Sequence, residues 1–134
     1  MGTNCMIGIR TKSKKVKFIY CHNDGDPGTA LPLLAQFYNT EEKVNDLINL
    51  GCISSLGSKL NPTTDQHSFN HPERDVVVAY YRDRHEPWEH CKPVVETITD
   101  YKNCSDYCYL FDPDKNCWLV LCEGTFLKPI FIRE

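Results

Sequence analysis

Apolar and polar positions along the chain change period several times, and each change marks an element. In Val16-Lys17-Phe18-Ile19-Tyr20-Cys21 the residues Val16, Phe18 and Tyr20 share one face at the two-residue period of a strand. Cys5 to Arg10 is a second β-rich run. The polar stretch Thr11-Lys12-Ser13-Lys14-Lys15 between them has hairpin-loop length, so the two runs are predicted to pair antiparallel. The period then becomes helical. Leu31, Leu34, Ala35 and Tyr38 predict a helix over 30–39 with Thr29 as its cap and Pro32 in its first turn. Val44, Leu47, Ile48 and Leu50 predict a second helix over 41–50, capped by Thr40, begun by Glu41 and Glu42 and stopped by Gly51.

From Cys52 to His71 the Gly, Pro, Ser, Thr and Asn content reads as a long surface loop, and loops of that length are usually functional or disordered. Val76 to Tyr81 is nearly continuous in apolar character and predicts a central strand covered on both faces. Glu86 to Ser105 is mixed in polarity, and Val94 to Ile98 within it fits helix or strand. Tyr107–Phe111 and Cys117–Cys122 flank the turn sequence Asp112-Pro113-Asp114-Lys115-Asn116 and predict a second hairpin, with a further strand within Thr125 to Ile132. Tyr109, Phe111 and Leu119 are assigned to one face of that hairpin and Leu110, Trp118 and Val120 to the other. Apolar residues on both faces point to a deep position or a subunit contact, and hence to a homo-oligomer. The predicted fold class is α+β: a single domain spanning 1–134, with a mainly antiparallel sheet and a helical hairpin packed against it.

Composition narrows the function classes. With 41% hydrophobic and 25% charged residues among 134, the chain has a globular composition. A net charge of −3 argues against coating a nucleic acid polymer, whose phosphates demand a basic face. A small anion needs only a few local cations. No apolar run has the length of a membrane helix and no signal-peptide pattern opens the chain, so a cytosolic protein is expected. The eight cysteines contain no Cys-x-x-Cys spacing and several lie in apolar runs, which favours buried free thiols over disulfides or a zinc site.

Two polar clusters carry candidate chemistry. Tyr20-Cys21-His22-Asn23-Asp24-Gly25-Asp26-Pro27-Gly28 ends a strand and precedes a helix, and its carboxylates suit a sugar hydroxyl or a base edge better than a phosphate. Tyr80-Tyr81-Arg82-Asp83-Arg84-His85 follows the strongest strand signal and joins aromatic rings to two guanidiniums able to grip a base and a phosphate. The candidate ligand-binding residues are Tyr20, His22, Asn23, Asp24, Phe69, Tyr81, Arg82 and Arg84, with Arg82 favoured as the main phosphate ligand. No Walker or dinucleotide loop, His-Glu-x-x-His or Gly-x-Ser-x-Gly occurs, and neither catalytic residues nor a cofactor are assigned. His67 and His71 with an aspartate such as Asp24 could converge on a metal, which keeps a metal-dependent phosphodiesterase as an alternative. A further alternative is a protein-binding inhibitor of a host defence enzyme, with the aromatic and arginine residues at an interface.

In order along the chain, Cys5-Met6-Ile7-Gly8-Ile9, Ile19 to Gly25, Glu42-Lys43-Val44, Leu50 to Gly57, His67-Ser68-Phe69 and Ala79 to Arg84 resemble the first Thoeris anti-defence sponge family of phage proteins. The similarity covers most of the first 85 residues, with a looser echo over Tyr107 to Val120. The resemblance implies an oligomeric, non-enzymatic protein of the infected bacterium's cytoplasm. It would bind and sequester cyclic ADP-ribose-type immune signals without cleaving them, with cyclic di- or trinucleotides as a further ligand class. In the family's run the position of Asn23 is usually tryptophan and that of Asp26 usually aromatic. A missing ring removes stacking of about 1–3 kcal/mol per base, so ligand choice or affinity is expected to differ here.

Overall fold

The computed structural model describes residues 3–101, 107–122, 125–126 and 130–131. The first hairpin forms as the alternation requires: β1 (Cys5–Arg10) and β2 (Lys15–Cys21) pair antiparallel with Cys5 opposite Cys21 and Arg10 opposite Val16. Gly8 is needed inside β1 because a Cβ there would lie 2.6 Å from Val16 Cγ1.

Helix α1 (Pro27–Phe37) begins earlier than the apolar spacing suggested, with Asp26 rather than Thr29 at its N-cap. Pro27 brings a φ already suited to a first helical position. Thr29 instead donates from Oγ1 to Asp26 Oδ2 at 3.1 Å. Pro32 therefore lies inside the helix and offers no N–H to the preceding turn. Helix α2 (Glu41–Ile48) follows expectation: Lys43 N–H donates to Thr40 Oγ1 at 3.2 Å, and Val44, Leu47 and Ile48 are fully buried. Each such side chain contributes about 1.5–3 kcal/mol of transfer free energy.

The second half differs more. Strand β3 (Ile53–Ser55) rises out of the predicted loop and pairs parallel to β2. The expected strand over 76–81 shrinks to β4 (Val78–Ala79), at the edge of the sheet rather than its centre, and Tyr80–Arg84 coils into the short helix α3. Val76 to Ala79 are nonetheless buried, because the Lys59 segment runs alongside them, with Val77 N–H bonded to Lys59 O at 2.9 Å. Helix α4 (Trp88–Cys91), strand β5 (Val94–Thr97) and helix α5 (Ile98–Tyr101) occupy the stretch that periodicity left open, whose residues 102–105 lie outside the described residues.

The second hairpin is β6 (Tyr107–Asp112) with β7 (Cys117–Cys122), and short β8 (Thr125–Phe126) and β9 (Ile130–Phe131) both pair with β7. The sheet runs β4-β3-β2-β1-β6-β7-β8, with β5 also on β2. Its ladders are antiparallel except β1 with β6 and β2 with β3. The fold is thus a mixed α+β domain.

Register corrects the hairpin faces. Phe111 stands opposite Trp118 and Leu110 opposite Leu119, and residues directly opposite share a face. Tyr109, Phe111, Trp118 and Val120 therefore enter the main core with α1 and α2, while Cys108, Leu110 and Leu119 pack beneath Tyr101 with Val16 and Phe18. Tyr109, Leu110, Phe111, Trp118 and Val120 are all buried within one chain, which removes the apolar excess behind the expectation of a subunit contact there.

Candidate functional site

Strand alternation sends Cys21 and Ile53 into the core beside Ala79, and turns Tyr20, His22 and Ser54 to the opposite face of the sheet. On that face Tyr20 Oη lies 2.9 Å from His22 Nδ1. Asn23 is clamped to β3: its backbone N–H donates to Ser54 O at 2.8 Å, and its side-chain amide donates to the same oxygen at 3.0 Å and to Ser54 Oγ at 3.3 Å.

The turn of α3 completes the surface. In a helix, residues four apart lie one turn apart on one side, so Tyr80 and Arg84 come close together and Arg82 turns away, where a strand would have set all three along one face with Tyr80 and Arg84 far apart. Phe69 fits between them: its ring centroid is 5.5 Å from that of Tyr80, and Arg84 Cζ lies 4.9 Å from its centroid. Arg84 remains half exposed beside Glu86, with Nε 3.3 Å from Oε1. Burial pushes the Tyr80 phenol up, a hydrogen bond with Ser54 opposes this, and the neighbouring Tyr20 adds to it. Tyr20, His22, Asn23, Ser54, Tyr80, Phe69 and Arg84 therefore make one strip of rings, amide and hydroxyl groups ending in a cation.

Three expected residues lie elsewhere. Asp24, at φ 61°, turns into a separate cleft of about 310 Å³ with Ser55, Gly57, Arg74 and Asp75. Tyr81 packs edge-on against Trp88 at 4.9 Å and lines a groove of about 380 Å³ with Asn49, Leu50 and Arg82. The Arg82 guanidinium is committed internally: it donates to Leu60 O at 2.8 Å, to Val77 O at 2.6 Å and through Nε to Asp83 Oδ1 at 2.9 Å. Its donors hold the loop and strand together, and the geometry gives the outward-facing guanidinium to Arg84.

Asp83 organises this region from a buried position, its side chain only 4% exposed. It accepts the Ala79 N–H at 2.8 Å, which starts α3 and ends the strand predicted over 76–81. His67 receives the Glu73 N–H on Nδ1 at 2.9 Å, so its proton resides on Nε2. That nitrogen lies 3.1 Å from Asp83 Oδ2, a short contact outside the geometry of a straight hydrogen bond. Phe69 N–H also donates to Asp83 O at 3.3 Å, so His67 and Phe69 both hang the long loop on α3.

His67 is thus engaged within the fold, and among the described residues no group of three or more His, Cys, Asp or Glu side chains is placed to hold a metal ion. Nor, among the described residues, is any helix long and apolar enough to cross a membrane. The candidate residues read from the sequence include neither Ser54 nor, although it stands in the second polar cluster, Tyr80. The cue for Tyr80 is its spacing of four from Arg84, which brings the two side chains within one turn only where the segment is helical. No family model, curated protein or solved structure matches the chain.

Proposed function

We propose that the strip from Tyr20 to Arg84 binds a nucleotide and that the protein is a phage sponge for cyclic ADP-ribose-type signals, acting in the host bacterial cytoplasm without cleaving them. The observation that supports this reading most is the seating of Phe69 between Tyr80 and Arg84. A base can stack on such rings while the exposed guanidinium meets a phosphate. Tyr20, His22, Asn23 and Ser54 offer hydroxyl, imidazole and amide groups to ribose. Cyclic di- or trinucleotides are a further ligand class, and assembly as a homo-oligomer would enclose the ligand more fully than one open face.

Sequestration of a scarce messenger needs affinity near nanomolar, about −12 kcal/mol, and no rate acceleration. The test is to incubate the protein with a lysate containing an active TIR enzyme, heat it, and identify the released small molecules by mass spectrometry. Intact release of a cyclic ADP-ribose isomer supports sequestration, altered products indicate an enzyme, and no captured nucleotide rejects the reading. The exposed Tyr81, Trp88, Val94 and Val95 side chains favour a second reading, a protein-binding inhibitor. A host protein retained in the absence of any nucleotide would support it.

A further inference from the structure

Among the six cysteines whose side chains are described, Cys52 alone is not buried. Its backbone N–H donates to Cys91 O at 2.7 Å, so the last residue of α4 lies against the turn that leads into β3. Contact is this close because the preceding residue is Gly51, at φ 82°: a Cβ there would fall 2.5 Å from Cys91 O. A backbone N–H···O=C bond brings its two residues' Cα atoms to about 5–6 Å, inside the range that a disulfide spans. Burial pushes the Cys91 thiol up, and the neighbouring Cys52 adds to it.

We propose that Cys52 and Cys91 form an oxidisable pair that closes to a disulfide with a low-molecular-weight disulfide such as oxidised glutathione, fixing α4 to the start of β3. The Cys52 thiolate, its proton released to solvent, attacks one sulfur of oxidised glutathione; that S–S bond breaks and one glutathione leaves, taking up a proton. Cys91 then gives up its proton and attacks the Cys52 sulfur of the mixed disulfide, displacing the second glutathione, which is likewise protonated. Two protein thiols lose two electrons and one glutathione disulfide becomes two thiols.

Position makes the pair selective. Cys5 and Cys21 also stand opposite each other, yet both are sealed in the core, and the Cys5 thiol is pushed far up by its hydrogen bond with Cys21 and by burial. Only the thiol that meets glutathione needs access, and that is Cys52. Cys91, itself buried, has only to reach the Cys52 sulfur, whereas neither thiol of the inner pair is accessible, which makes that pair the built-in control.

The full chain is incubated with oxidised glutathione under native conditions, alkylated and mapped by peptide mass spectrometry. The expected result is a loss of about 2 Da in intact mass, located as a Cys52–Cys91 link and reversed by dithiothreitol. Cys91→Ser should leave a stable glutathione adduct on Cys52, and Cys52→Ser should form neither adduct nor link at this site. A persistent glutathione adduct on Cys52 in the unmodified sequence, pairing of Cys52 with any other cysteine, or a Cys5–Cys21 link formed equally fast would overturn the proposal.

Discussion

Tyr109 Oη donates to Gly25 O at 2.6 Å from a fully buried position on β6. The bond ties the centre of the sheet to the middle of the loop between β2 and α1, and Gly25 N–H adds a second tie to Thr3 O at 2.7 Å. A Cβ at Gly25 would lie 2.7 Å from Asn4 C, so only glycine fits between the N-terminal strand and this anchor. Tyr109→Phe keeps the ring but strands the Gly25 carbonyl, and it should cost about 1–3 kcal/mol. Urea unfolding of the two proteins measures this; an unchanged midpoint would show that the bond contributes nothing.

The two arginines should separate cleanly. Arg84→Ala removes an exposed cation and should weaken cyclic ADP-ribose capture roughly ten- to a hundredfold with little change in stability. Arg82→Ala strips a mostly buried partner from Asp83 and from two carbonyls, and should destabilise the fold by about 3 kcal/mol. Calorimetric titration and thermal unfolding of both variants check this, and equal loss of affinity in a fully stable Arg82 variant would reverse the assignment.

Acid should loosen the loop that carries Phe69. Burial pushes the Asp83 carboxyl up, but hydrogen bonds from Arg82 and the Ala79 amide, with the His67 contact, outweigh it and leave the group below the ordinary carboxylate range. Its contribution is therefore fully present above the unfolded value of about 3.9 and is lost as pH falls through the lower folded value. Asp83→Asn should be less stable at neutral pH and should flatten the acid limb of the stability profile below about pH 4. Parallel acid limbs in both proteins would exclude this role.

Asn23→Trp gives up the two side-chain bonds to Ser54 but sets a ring beside Tyr20 and His22. Release of cyclic ADP-ribose should slow, since stacking contributes about 1–3 kcal/mol per base. Stopped-flow dissociation decides it, and identical rates in a folded variant would take this loop out of the site.

Local pattern was enough for the elements whose neighbours in sequence are also their neighbours in space. The alternation of β1 and β2, the Thr40 cap and the Val44, Leu47 and Ile48 stripe all follow from period and capping chemistry, and Tyr20, His22, Asn23, Phe69 and Arg84 were legible as candidates from residue type. What happens at Tyr80 was not. A run of valines followed by two tyrosines has every local reason to stay extended, and it bends because the buried Asp83 carboxylate captures the Ala79 N–H while Arg82 grips Leu60 and Val77 from inside. Leu60 is distant in sequence, and the nearer bonds to Ala79 and Val77 prevail over an extended strand only once Asp83 and Arg82 are covered by the rest of the fold, so a local window does not decide the outcome. The same tertiary contacts send Arg82 inward, Arg84 outward onto Phe69, and Tyr81 to the groove beside Trp88. Which guanidinium faces solvent is thus decided by the pairing of a buried charge, a cost that exists only once the chain has folded around it.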